Sequence, residues 1–126
     1  MQIVNFKDDI KGKEFPAGRL TKVIVGPNSK LTAKNFVQGY TTIYPGGSVP
    51  EHSHTNEEVY TIISGNGDMT VNGETVLLKA GTSVYIPSRQ LHTLKNNYKE
   101  DLIMIFVYAP ANIVEHWEEE LKGLIK

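Results

Sequence analysis

The chain has 126 residues, which suits one domain (1–126) built around a single hydrophobic core. Apolar residues make up 40% and charged residues 21% of the sequence, a balance typical of a globular protein and not of a disordered chain. The formal net charge of −1 provides no positive field for a phosphate backbone, so we expect no nucleic-acid partner.

Cysteine is absent, which excludes disulfides and thiolate metal sites and leaves imidazole and carboxylate as the strong metal ligands. The N-terminal residues show no basic start followed by an apolar stretch of signal-peptide length. No apolar run approaches the roughly 18 residues that a membrane-spanning helix needs. We therefore expect a cytoplasmic protein that has no membrane partner.

Short stretches rich in Val, Ile, Thr, Tyr and Phe, separated by Gly, Pro and Asn, predict an all-β fold. A first short strand is expected at Met1–Phe6, followed by a loop at Phe15–Gly18. Asn72-Gly73 predicts a tight type I′ hairpin turn. The main predicted strands are Leu20–Val25, Phe36–Tyr44, Glu57–Ser64, Asp68–Val71, Glu74–Leu78, Ser83–Ile86, Leu91–Lys95 and Leu102–Tyr108. Strands this short and this numerous favour a sandwich or barrel over a parallel α/β sheet.

The C-terminal segment predicts one helix, at about 112–124. Asn112 is a suitable N-cap, and Glu115 completes a pair that resembles a capping box. One apolar face follows at helical spacing, formed by Ile113, Trp117, Leu121 and Leu124. We expect this helix to pack on the barrel or on a partner, with His116 and the glutamates 118–120 in solvent and not in a second metal site.

The segment His52-Ser53-His54 places two imidazoles two residues apart. Side chains at i and i+2 of a strand point the same way, so both rings could reach one point inside a barrel. Glu58 adds a carboxylate on the next strand, and His92 begins a later one. These four residues would bind one divalent Mn, Fe, Co, Ni, Cu or Zn ion. For each histidine taken alone, a surface or hydrogen-bonded position is the alternative.

The glycine and proline spacing around these four residues resembles the two sequence motifs of the cupin superfamily. The first motif (46–65) is carried by Gly46, His52, His54, Glu58 and Gly65, and the second (81–96) by Gly81, Pro87, His92 and Asn96. The resemblance extends from about Phe36 to Tyr108 and is that of a small single-domain cupin. It implies a double-stranded β-helix, which is a jelly-roll barrel, with His52, His54, Glu58 and His92 in the metal-ligand positions.

Arg89 departs from the second motif, which usually has glycine at this position. One interpretation is that Arg89 tolerates the loop geometry and points to solvent. The other is that its guanidinium guards the mouth of the barrel and binds a carboxylate or phosphate through two hydrogen bonds.

Other pocket residues follow from strand alternation. If Glu58 faces inward, Tyr60 and Ile62 do so too, and Gln38 and Thr42 share a face with Tyr40. We treat Tyr40, Tyr60 and Tyr108 as candidate proton donors or substrate anchors. Plain aromatic packing is the alternative for each tyrosine.

Four protein ligands would leave two open positions on a six-coordinate metal ion, which suit a bidentate small molecule such as a hydroxy acid, an enediol or a diketone. We therefore expect a metalloenzyme of isomerase, lyase or dioxygenase type that acts on a small oxygenated metabolite. A non-catalytic binding or sensing protein is the alternative. Exposed sheet edges and an apolar outer face also predict a homodimer, with the N-terminal segment as a candidate to add a strand to the partner.

Overall fold

The computed structural model describes residues 1–111 and residue 120. Within these residues the chain forms eleven strands and one short helix. In chain order they are α1 (Phe6–Asp9), β1 (Lys13–Phe15), β2 (Arg19–Gly26), β3 (Leu31–Thr32), β4 (Val37–Ile43), β5 (Ser48–His52), β6 (Glu57–Ser64), β7 (Asn66–Val71), β8 (Glu74–Lys79), β9 (Ser83–Ile86), β10 (His92–Lys95) and β11 (Leu102–Ala109). The all-β fold is therefore confirmed.

The strands form two sheets that share one hydrophobic core. The seven-stranded sheet has the order β1-β2-β4-β11-β6-β9, with β3 beside β2, and the four-stranded sheet has the order β5-β10-β7-β8. The described pairings are antiparallel, except for the parallel pair β2–β3. Buried side chains from both sheets form a single cluster, among them Ile43, Ile62, Met69 and Leu94.

Burial alternates strictly along the central strands, so one face of each strand is turned to the core. On β11 the inward positions are Leu102, Met104, Phe106 and Tyr108. The neighbouring β4 turns Gly39 inward, directly opposite Phe106. A Cβ atom at Gly39 would overlap the Phe106 ring and would lie 2.8 Å from the carbonyl oxygen of Lys22. Glycine is therefore the residue that lets the aromatic side chain cross the barrel interior.

The main predicted strands are confirmed, with ends that differ by one or two residues at most. The predicted hairpin turn is confirmed as well, because Asn72 and Gly73 adopt φ angles of 48° and 81° between β7 and β8. The strand expected at Met1–Phe6 is wrong. Asn5 instead caps α1, and its side-chain oxygen accepts the amide hydrogen of Lys7 at 2.9 Å.

The helix predicted at about 112–124 lies outside the described residues, apart from Glu120, and stays a prediction. Glu120 corrects one expectation, because its side chain is fully buried and ion-paired with Arg19 and is not solvated. Among the described residues, no helix is long and apolar enough to cross a membrane.

Candidate metal centre

Strand pairing brings the two histidine-bearing motifs together. His52 is the last residue of β5, His92 is the first residue of β10, and the two are direct partners in the antiparallel ladder. Glu58 lies on β6 in the opposite sheet, on the same buried face as Tyr60 and Ile62, as the alternation predicted. The site therefore lies between the two sheets.

His54 reaches the same place by a different route from the one expected. Strand β5 ends at His52, so His54 lies in the connection to β6. The expectation that His52 and His54 point the same way from one strand is therefore wrong. Two hydrogen bonds fix this connection. The carbonyl oxygen of His54 accepts the backbone N–H of Arg89 at 2.7 Å, and the ring Nδ1 of His54 lies 3.0 Å from the Asn56 carbonyl oxygen.

The four side chains converge on one point. Each offers one candidate ligand atom, and these atoms all lie within 4.8 Å of one another. The ring centroids are 4.2 Å apart for His52 and His92, 5.0 Å for His54 and His92, and 5.3 Å for His52 and His54. His52, Glu58 and His92 are buried, and His54 is half-buried. A single small ion could therefore contact all four residues.

All three histidine rings are oriented by backbone carbonyl groups. The Nδ1 atoms contact carbonyl oxygens, His52 at Pro50 (2.6 Å), His54 at Asn56 (3.0 Å) and His92 at Gln90 (2.8 Å). A carbonyl oxygen only accepts hydrogen bonds, so each Nδ1 is assigned as the donor. In the neutral rings the lone pair is then on Nε2, which is the arrangement that metal-binding histidines adopt.

Two Nε2 atoms face the same carboxylate oxygen. The Nε2 of His54 lies 3.1 Å from Oε1 of Glu58, and the Nε2 of His92 lies 3.6 Å from it. The Nε2 of His92 is buried, and no described residue forms a hydrogen bond with it. A buried polar atom without a partner is costly, and a divalent cation between these acceptors would satisfy them together. The residues present therefore fit a metal ion.

The electrostatics of the site favour an ionised carboxylate. Burial acts to raise the pKa of Glu58, but the contacts with His54 and His92 outweigh it and hold this pKa below its usual value. Burial likewise acts to lower the pKa of His54, and the hydrogen bond and negative charge of Glu58 outweigh it and raise this pKa. Glu58 is thus a carboxylate at neutral pH and available as a ligand.

A small cavity of about 20 Å³ adjoins His52, His54 and Glu58, with space for roughly one water molecule. Its other polar lining residues are Arg19, Thr21, Thr41 and Tyr60, and its apolar lining residues are Val49, Met104 and Phe106. The cavity therefore combines the candidate ligands with one buried cation, three hydroxyl groups and an apolar wall.

The three candidate tyrosines have different positions. Tyr60 lines the cavity, and burial together with the charge of Glu58 raises its pKa well above the usual value, so its hydroxyl stays protonated. Tyr108 is buried opposite Glu58 on β11, and burial and Glu58 raise its pKa to about 12. Tyr40 is not brought to the cavity. It lies on the half-buried outer face of β4, 4.3 Å from the Phe6 ring, on the same face as Gln38 and Thr42.

Arg89 is exposed in the loop between β9 and β10 and has a φ angle of 67°, the region that favours glycine. The loop geometry that the motif requires is therefore present, and Arg89 adopts it. Arg89 is not among the described residues that line the cavity, and its role as an anion clamp stays a prediction.

Sequence reasoning missed Arg19, the buried cation of the site. Arg19 begins β2, and its guanidinium packs 4.1 Å from the centre of the Phe15 ring and contacts both carboxylate oxygens of Glu120. The alternation of Arg19 and Thr21, both buried on β2, is the signal that could have shown an inward-facing arginine.

Comparisons with known proteins agree with this fold. The chain is 38% identical over 98 residues to an oxalate-binding protein of Thermotoga maritima, covering 77% of this chain and 76% of that protein. It is 32% identical over 65 residues to the H2HPP isomerase of Bacillus subtilis, covering 52% of this chain and only 28% of that protein. A crystal structure of a predicted oxalate decarboxylase from Thermotoga maritima shares the fold, with a TM-score of 0.76 at 22% identity and with 86% of this chain and 99% of that chain covered.

The family model for the cupin domain matches residues 39–108, which span both motifs and all four converging residues. This match covers more than half of the chain, and structural neighbours of the same fold support it. The chain therefore belongs to the cupin domain family.

Proposed function

We propose that this chain is a metalloenzyme that acts on a small oxygenated metabolite and holds one divalent transition-metal ion through His52, His54, Glu58 and His92. The observation that carries the proposal is the convergence of three imidazoles and one carboxylate within 4.8 Å, with every ring oriented by a carbonyl group. Manganese, iron, nickel, cobalt, copper and zinc all accept this ligand set.

The donor set supports a catalytic site more than a structural one. Four protein ligands leave positions open on a six-coordinate ion, whereas structural sites are closed and are often rich in cysteine, which this chain lacks. A bound divalent ion would supply Lewis-acid polarisation of a substrate oxygen or, if redox-active, dioxygen chemistry. Isomerase, lyase and dioxygenase reactions are all compatible with these residues.

The chain's own residues would position the substrate. Tyr60 faces the cavity with a hydroxyl that stays protonated, so it can donate a hydrogen bond to a substrate oxygen. Val49, Met104 and Phe106 form the apolar wall of this cavity.

The similar proteins support a small oxygen-rich ligand. One is named for oxalate, a dicarboxylate, and another is an isomerase. The alternative function is a cupin that binds or senses such a molecule without turnover, and the oxalate-binding relative favours this second candidate.

A panel assay separates the two functions. The protein is loaded in turn with Fe²⁺, Mn²⁺, Zn²⁺ and Co²⁺ and incubated with hydroxy acids, diketones and sugar acids. Oxygen consumption is recorded together with proton exchange at carbon atoms next to carbonyl groups. Turnover that disappears in chelator-treated protein supports the enzyme. Saturable, metal-dependent binding without turnover supports the binding protein.

A further inference from the structure

Arg19 is the buried cation of the cavity. It begins β2 with 2% of its surface exposed and lines the same cavity as His52, His54 and Glu58. Because a buried charge is costly to desolvate, an arginine at this position needs partners that are also buried.

Glu120 supplies the counter-charge. Its two carboxylate oxygens contact the two terminal nitrogens of Arg19, and Nη2 lies 2.8 Å from Oε2. Glu120 has no exposed surface. This is the two-point pairing of a planar guanidinium with a carboxylate. Replacing such buried pairs with apolar residues often leaves stability unchanged or raises it, so stability alone does not explain an ion pair at this place.

The guanidinium has two further contacts that do not involve Glu120. Nη1 donates a hydrogen bond to the carbonyl oxygen of Ser48 at 3.2 Å, and the guanidinium lies 4.1 Å from the centre of the Phe15 ring. Because these contacts do not depend on Glu120, they would still hold Arg19 in place if another carboxylate took the position of Glu120. The site thus offers a preorganised carboxylate receptor beside the candidate metal ligands.

We propose that Arg19 is the specificity-determining residue of this site, that it binds a carboxylate of the substrate, and that the Glu120 carboxylate occupies the receptor until the substrate carboxylate replaces it. The substrate class is then a small acid with a metal-chelating end and a second carboxylate. The inference rests on the proposed function, since the metal ion binds the other end of the acid.

Two acids test this inference with the full chain loaded with Co²⁺. Malate has a hydroxy-acid end that can chelate the metal and a second carboxylate, whereas lactate has the same chelating end alone. Calorimetry gives both dissociation constants, and the visible absorption of Co²⁺ reports the change in coordination. In wild-type protein the malate carboxylate must replace the Glu120 carboxylate at Arg19, so we expect malate to bind only a few-fold more tightly than lactate. The preference should approach tenfold, as one charged hydrogen-bond pair allows, once the competing charge of Glu120 is removed.

The variant Glu120→Gln keeps the size of the side chain and removes the competing charge. We expect it to bind malate several-fold more tightly than wild type does and to bind lactate unchanged. Glu51→Gln is the matched control, because Glu51 is exposed on β5, and should alter neither constant. If the folded Glu120→Gln variant has the same dissociation constant for malate as wild type, the proposal that malate replaces Glu120 at Arg19 is overturned.

A double variant keeps the test decisive if Glu120→Gln does not fold. Arg19→Met combined with Glu120→Met removes both charges and should bind lactate as wild type does, with the malate preference lost. A malate preference that survives in this variant would overturn the role of Arg19. If neither acid changes the Co²⁺ absorption of wild-type protein, this inference fails, whereas the proposed function is decided separately by the panel assay.

Discussion

His52 and His92 face each other across the β5–β10 ladder, with ring centroids 4.2 Å apart and each Nδ1 bound to a carbonyl oxygen two residues earlier. This pairing joins the two sequence motifs into one site. It also fixes the direction of two Nε2 lone pairs before any ion binds. Preorganisation of this kind lowers the cost of assembling a metal centre.

Tyr60 is expected to act on the substrate and not on the metal ion. Tyr60→Phe removes the hydroxyl that faces the cavity while keeping the ring. We expect kcat with the substrate identified in the panel to fall about 100-fold, the lower range for loss of one hydrogen bond to a reacting oxygen, with metal content unchanged. Tyr40→Phe is the control, because Tyr40 lies on the outer face of β4. Equal kcat values for wild type and Tyr60→Phe would exclude this role.

The metal-free protein should be most stable in mildly acidic solution. The pKa of Glu58 is lowered by its histidine contacts, so its stabilising contribution is present above the unfolded carboxyl pKa of about 4.3 and is lost as pH falls through the folded value. The pKa of His54 is raised by Glu58, so its contribution is present below about pH 6.5 and is lost as pH rises through the folded value.

Urea unfolding of chelator-treated protein between pH 3 and pH 9 measures this dependence. We expect the free energy of unfolding to decrease at both ends of that range and the decrease to be smaller in Glu58→Gln. Metal affinity should also decrease at the acid end, because protons compete for the Nε2 atoms. A stability profile that is the same in Glu58→Gln would contradict the assigned pair.

Gly39→Ala tests the packing of the barrel interior. The added Cβ would overlap the Phe106 ring and approach the Lys22 carbonyl oxygen, so we expect a loss of about 1–3 kcal/mol in the free energy of unfolding. Combining it with Phe106→Leu should recover part of that loss if the clash is with the ring. Full stability of Gly39→Ala in urea would show that the interior is looser than the structure indicates.

The homodimer stays a prediction, and the exposed apolar residues suggest where it would form. Val76 and Leu77 on edge strand β8 and Tyr85 on edge strand β9 are each about half exposed. We expect light scattering to show a dimer that dissociates when Val76 and Leu77 are both changed to Lys. Ile3→Lys tests the N-terminal segment as the alternative interface. A monomeric wild-type protein would contradict the prediction.

The sequence predicted most strands because alternating apolar residues have a strong period of two, as on β11. Strand β5 was missed because Pro50, Glu51 and His52 hide the alternation that its neighbours show. Alternation also does not say which face of a strand is inward. On β4 the inward face holds Gly39 and not Tyr40, because Phe106 fills the space in front of the glycine.

The candidate site was also predicted only in part from the sequence. Motif spacing identified the converging residues, although His54 reaches the site from a loop and not from a strand. The pair Arg19–Glu120 joins residues from opposite ends of the chain, outside both motifs. No local pattern links two such residues, since their contact depends on how the barrel closes.

Metal content is the most direct test of the central claim. Purified protein is loaded with Co²⁺, desalted and measured by elemental analysis together with His92→Ala and His116→Ala, where His116 is the one histidine of the sequence that belongs to neither motif. We expect one ion per chain in wild type and His116→Ala and almost none in His92→Ala. One ion per chain in a folded His92→Ala variant, or none in wild type, would contradict it.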